Sequence, residues 1–106
     1  MRFKLKGPFK ENIYNLMRKI GYYFRGEDKE KSELSFVRPP KGYPRFHIYL
    51  KPGNKNLIFD LHLDQKRPIY KGATAHSGEY EGELVEKEVE RVKEILSSSP
   101  SLSLGN

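Results

Sequence analysis

The stretch Arg45-Phe46-His47-Ile48-Tyr49-Leu50-Lys51-Pro52-Gly53-Asn54-Lys55-Asn56-Leu57-Ile58-Phe59-Asp60-Leu61-His62-Leu63-Asp64 decides the fold. Phe46, Ile48 and Leu50 alternate with Arg45, His47, Tyr49 and Lys51, and beyond Pro52-Gly53-Asn54-Lys55 the residues Leu57, Phe59, Leu61 and Leu63 alternate with Asn56, Ile58, Asp60, His62 and Asp64. A period of two belongs to a strand buried on one face. Two such runs around a Gly-Asn turn predict an antiparallel hairpin, apolar residues toward a core and polar residues away from it. If residues 52–55 form the loop, Lys51 lies opposite Asn56. That register sets His47 opposite Asp60, Arg45 opposite His62 and Tyr49 opposite Ile58, with Tyr43 facing Asp64.

On the N-terminal side of the hairpin, Pro39-Pro40-Lys41-Gly42-Tyr43-Pro44 predicts a rigid loop, because proline cannot donate into a ladder. Before it, residues 33–38 alternate again, with Leu34 and Phe36 on one face and Ser35 and Val37 on the other. Tyr22-Tyr23-Phe24-Arg25 reads as a short strand, followed by a charged turn over residues 26–31. Phe9, Ile13, Leu16, Met17 and Ile20 share one face of a helix that Pro8 suits as a first-turn residue and Gly21 ends. Phe3 and Leu5 alternate with Arg2, Lys4 and Lys6 in an N-terminal strand. At the other end, Leu84, Val85, Val89, Val92, Ile95 and Leu96 form a helical stripe that Ser97-Ser98-Ser99-Pro100 stops. The fold predicted is α+β: an antiparallel meander of four or five strands with two helices packed on one face. Residues 1–97 form a single compact domain in this reading, and residues 98–106 a disordered polar tail.

Composition narrows the functions open to such a domain. The chain has 106 residues, too few for two separate cores. It has no cysteine, which excludes disulfides, thiol catalysis and Cys-ligated zinc. Its purely apolar runs are short, Leu57-Ile58-Phe59 among them, so no membrane span is expected, and the opening residues lack the apolar core of a secretory signal. A cytoplasmic location is expected. The net charge of +6 is uneven: residues 1–25 and 37–71 each carry +6, residues 26–36 carry −2 and residues 72–106 carry −4.

The polar face of the hairpin is where function is sought. Arg45, Tyr49, Lys51 and Tyr43 place basic and aromatic groups on one sheet surface, and Arg67 and Lys71 follow in the next connection. Flat rings stack bases and cations hold phosphates, so this set predicts a binding module for RNA or single-stranded DNA. The same residues also serve as ordinary cross-strand pairs, and Asp60 and Asp64 put negative charge on the same face. Residues 64–81 form a long connection without a clear period, rich in small residues and potential ligands. If that loop folds over the face, His76 and Glu79 join His47 and His62. Imidazoles with a carboxylate suit a divalent metal, and His47 beside Asp60 suits a general base; His47, Asp60, His62 and His76 are thus the candidate catalytic set of a metal-assisted or histidine-dependent hydrolase acting on a phosphate or similar polar substrate. A third reading is a protein-interaction adaptor, or a homodimer, using the open sheet face, a sheet edge or the acidic last helix. No cofactor other than such a metal is indicated.

The order helix–strand–strand–strand–helix over residues 8–97 resembles that of the double-stranded RNA-binding domain. In that family the second helix opens with a lysine-rich stretch that grips the backbone. Here the matching stretch is Glu79-Tyr80-Glu81-Gly82-Glu83-Leu84, of opposite charge, and the strand at residues 2–6 is additional. The resemblance implies a topology, and no functional residue is carried over from it.

Overall fold

A computed structural model describes residues 1–65, 78–79 and 82–102. The elements run β1 (Arg2–Lys6), α1 (Ile13–Lys19), β2 (Tyr23–Asp28), β3 (Glu33–Arg38), β4 (Arg45–Pro52), β5 (Asn56–Asp64), β6 (Gly78–Glu79) and α2 (Glu83–Leu102). The sheet order is β1-β5-β4-β3-β2, with β6 also pairing with β5. All these pairings are antiparallel. Strands β2 to β5 form the expected meander, and β1 closes against the far side of β5, so the protein is α+β. Besides the short β6, the meander sets four strands between the two helices, one more than in the double-stranded RNA-binding topology, because β2 is a full strand.

The hairpin forms with a different register. His47 lies opposite His62, Arg45 opposite Asp64, Tyr49 opposite Asp60 and Lys51 opposite Ile58. The Gly53 N–H donates to the Asn56 carbonyl at 2.7 Å, so the turn residues are Asn54 and Lys55 rather than residues 52–55. Pro52 then pairs with Leu57. Hydrogen-bonded and non-bonded pairs alternate along an antiparallel ladder, so Pro52 falls where its missing N–H costs nothing. The displacement relative to the expected register is two residues, which leaves every side chain on its predicted face and changes every partner.

The core matches the apolar alternation. Phe36, Ile48, Leu50, Phe59 and Leu61 are buried with Leu16, Met17 and Ile20 of the α1 segment and Val85, Val89, Val92 and Leu96 of α2. Phe3 stacks on Phe59 with ring centroids 4.7 Å apart, fixing β1 to the same layer. Phe46 is only partly buried at its edge.

Three boundaries differ from the sequence reading. Helix α1 begins at Ile13, because Asn12 caps it by accepting the Asn15 N–H at 2.8 Å, and Phe9 packs on the core from the preceding loop. Strand β2 reaches Asp28, so the charged turn moves to residues 29–32, where Asp28 Oδ1 accepts the Lys31 N–H at 3.2 Å and Ser32 takes a φ of 53°. Helix α2 continues past Ser97 to Leu102, beyond the expected stop. Extending a helix already anchored by its apolar stripe costs far less than starting one, so the serines after Leu96 can prolong it.

A buried polar group joins α2 to the chain after α1. The Tyr22 hydroxyl donates to Glu88 Oε2 at 2.7 Å, and Arg91 holds both Glu88 oxygens, Nε to Oε1 at 3.0 Å and Nη2 to Oε2 at 2.9 Å. Arg91 Nη2 also donates to the Ile20 carbonyl at 2.6 Å, and Arg38 lies 3.5 Å from Glu88. Burial first, then the Glu88 charge, pushes the Tyr22 phenol far above its ordinary value, so it remains a donor.

Candidate metal centre

The face turned away from the core carries Ser35 and Val37 from β3, Arg45, His47 and Tyr49 from β4, and Asp60, His62 and Asp64 from β5. Alternation alone places them together, and the register brings three of them into contact. His47 Nδ1 lies 3.4 Å from Asp64 Oδ2, and His62 Nε2 lies 3.1 Å from Asp64 Oδ1. The two imidazole centroids are 4.9 Å apart. One ligand atom from each of His47, His62 and Asp64 falls within 4.8 Å of the others. A tetrahedral ion with bonds of about 2.1 Å sets its ligand atoms roughly 3.4 Å apart; the two imidazoles reach different oxygens of Asp64, so each oxygen stands near that distance from one ring nitrogen.

The surroundings prepare these groups as ligands. The His62 side chain is 5% exposed and that of His47 13%. Burial first, then the neighbouring His62, lowers the His47 pKa to about 4, with Asp64 opposing both. Burial likewise lowers that of His62, against Asp64 and Asp60. Both rings are therefore neutral near pH 7, the form in which a ring nitrogen offers its lone pair. Ser35 Oγ lies 2.5 Å from His47 Nε2, on the side of the ring away from the carboxylate. Arg45 Nε is 3.4 Å from Asp64 Oδ2, and its guanidinium stacks on Tyr43, 4.5 Å from the ring centroid. Tyr49 packs against both imidazoles, at 4.5 Å from His47 and 5.5 Å from His62 between centroids.

An open groove of about 660 Å³ runs past Ser35, His47 and Tyr49. Its walls include the carboxylates of Glu27, Asp28, Glu33 and Asp60 beside Arg25, Lys31 and Arg45. Of the three clustered residues, His47 borders this groove.

The expected site residues are thus partly reassembled. His47 and His62 come together, closer than the expected register places them. Asp60 does not partner His47: it lies opposite Tyr49, 3.6 Å from the N-terminal ammonium and 3.8 Å from Arg2. Asp64 takes its place. Of the nucleic-acid set, Arg45 is engaged by Asp64, Tyr43 lies under Arg45, Tyr49 is wedged against the histidines and Lys51 is exposed at the end of β4. Arg67, Lys71 and His76 lie outside the described residues, as does the Glu79 side chain; its backbone, in β6, pairs with Leu63, and Gly78 pairs with Asp64. Sequence reasoning misses Asp64 and Ser35 as site residues. Both have the right alternation, and only the register could single them out. Comparison with known protein families, with curated proteins and with solved structures finds no match.

Proposed function

We propose that this protein binds a divalent first-row transition metal through His47, His62 and Asp64, and that its groove serves metal-assisted hydrolysis of a small phosphate or similar polar ester. The observation that carries this reading is the convergence of two imidazole nitrogens on one carboxylate at 3.1 and 3.4 Å. Neutral imidazoles and an oxygen donor suit zinc and its neighbours better than calcium or magnesium, which prefer all-oxygen shells. A metal held by three protein ligands keeps a position for water or substrate, where it lowers the pKa of the one and polarises the other. Within the chain, Arg45 orients the carboxylate, Tyr49 walls the imidazoles from solvent, and the groove offers room beside His47 for a ligand.

Calorimetric titration of the full chain with Zn²⁺, and visible absorption with Co²⁺, test the proposal. One equivalent bound, with intense tetrahedral Co²⁺ bands lost in His62→Ala and Asp64→Ala, is the expected result; with zinc bound, turnover of an activated phosphate ester is expected as well. Binding no tighter than to a His47→Ala/His62→Ala double variant would overturn it. Metal-independent, salt-sensitive binding of single-stranded RNA would instead favour the reading of Arg45, Tyr49 and Lys51 as a nucleic-acid platform.

A further inference from the structure

We infer that Ser35 is a positioning residue that sets which nitrogen of His47 faces the metal, by reversing its own hydrogen bond when the ion binds. This rests on the metal-binding reading of His47, His62 and Asp64. The geometry that points to it is a line of groups across three neighbouring strands: Ser35 Oγ on β3, 2.5 Å from His47 Nε2 on β4, whose Nδ1 is 3.4 Å from Asp64 Oδ2 on β5. Both ring nitrogens of His47 therefore have a neighbour, and the two neighbours differ in kind.

Asp64 is a carboxylate and only accepts; the serine hydroxyl both donates and accepts. Without metal, a neutral His47 satisfies both by carrying its proton on Nδ1, where it donates to Asp64, while the Ser35 hydroxyl donates to Nε2. With metal, Nδ1 must present its lone pair to the ion. The proton on Nδ1 then leaves to solvent, Nε2 takes one from solvent, and the ring stays neutral with no net proton change. The new Nε2–H donates to Ser35 Oγ, whose own hydrogen rotates away. A hydroxyl accommodates both states without moving a heavy atom, which an apolar side chain or a fixed donor could not do. His62 lies the other way round, with Nε2 toward Asp64, so the site would hold the ion through Nδ1 of one histidine and Nε2 of its cross-strand partner.

Ligating histidines are commonly held by such an outer hydrogen bond, and its removal weakens metal affinity about 10–100-fold. The test uses the full chain with Zn²⁺ as the probe. Long-range ¹H–¹⁵N spectra of the ring nitrogens identify the His47 tautomer, and titration against a chromogenic chelator gives the affinity. Wild type is expected to carry the Nδ1–H tautomer without zinc and Nε2–H with Nδ1 on the ion when zinc is present. Ser35→Ala is expected to keep its fold, bind zinc about 10–100-fold more weakly and lose the defined tautomer; Ser35→Thr, which restores a hydroxyl on a residue suited to strands, is expected to recover both. Zinc held through Nε2 of His47, or undiminished affinity in Ser35→Ala, overturns the assignment of Ser35 while leaving the metal site standing. Wild type that binds no zinc overturns the metal reading itself, and with it the reversal.

Discussion

Replacing Glu88 with glutamine tests whether the buried group between α2 and the α1–β2 connection holds the fold together. Glu88 is 5% exposed and its two oxygens accept three bonds: from Tyr22 at 2.7 Å and from Arg91 at 3.0 and 2.9 Å. These partners are all donors. A glutamine amide must therefore turn its own NH₂ toward either Arg91 Nε or the Tyr22–Arg91 pair, so at least one donor loses its acceptor and the rest lose the charge. Hydrogen bonds to a charged group contribute about 1.5–3 kcal/mol each, and breaking a buried pair by removing one partner costs about 3–5 kcal/mol. Arg91 and Arg38 are roughly one-third exposed and recover some hydration, which brings the expected loss to about 3 kcal/mol. In a domain of this size that lowers the thermal midpoint by roughly 12–20 °C. Tyr22→Phe removes one bond and adds no competing donor, so about 1–2 kcal/mol is expected, and the double variant should lose less than the sum. Urea denaturation followed by circular dichroism gives all three values. A Glu88→Gln loss below about 1 kcal/mol, with single effects that simply add, would show that Glu88 does not tie α2 to the α1–β2 connection.

Asp64→Asn, which keeps the shape and removes the charge, is expected to weaken zinc binding by at least about tenfold with little change in the circular dichroism spectrum; unchanged affinity in the chelator competition would remove Asp64 from the site. For the metal-free protein, the lowered His47 pKa fixes the sign of a pH effect: the unfolded chain protonates near 6.5 and the folded one near 4, so stability is complete above about pH 6.5 and falls toward pH 4, on the order of 3 kcal/mol, a slope that His47→Gln flattens in urea titrations with chelator present. Gly21, at φ 88° and with space for a Cβ only 3.3 Å from the Arg38 side chain, is expected to lose about 1–2 kcal/mol on substitution by alanine, whereas Gly26→Ala, whose added Cβ would meet nothing within 4 Å, is expected to stay within about 0.5 kcal/mol of wild type in the same melts.

Much of the fold is legible residue by residue. The apolar stripe at Leu16, Met17 and Ile20 predicts the buried face of α1, yet not its start, because the Asn12 cap competes with the Pro8 signal and wins by satisfying a backbone donor. Leu34 and Phe36 predict β3 correctly. Val37, expected to face away from the core, sits opposite His47 and is fully buried, so the polar face is itself partly packed. His47 and His62 are identifiable as a pair from alternation, and Asp64 is not, because the same alternation fits Asp60 equally well.

Asp60 and Asp64 share one face of β5, and only strand pairing separates their roles. Period-two alternation over residues 45–51 and 57–63 determined which side chains face the core and which share the polar surface. It could not determine which of them meet, since a shift of two residues preserves every face. The choice was made where the chain turns: the Gly53–Asn56 hydrogen bond tightens the loop to Asn54 and Lys55, and Pro52 takes a position that needs no N–H. From that one step follow His47 beside His62 and Asp64 between them, while the pairing of β3 with β4 sets Ser35 behind the ring.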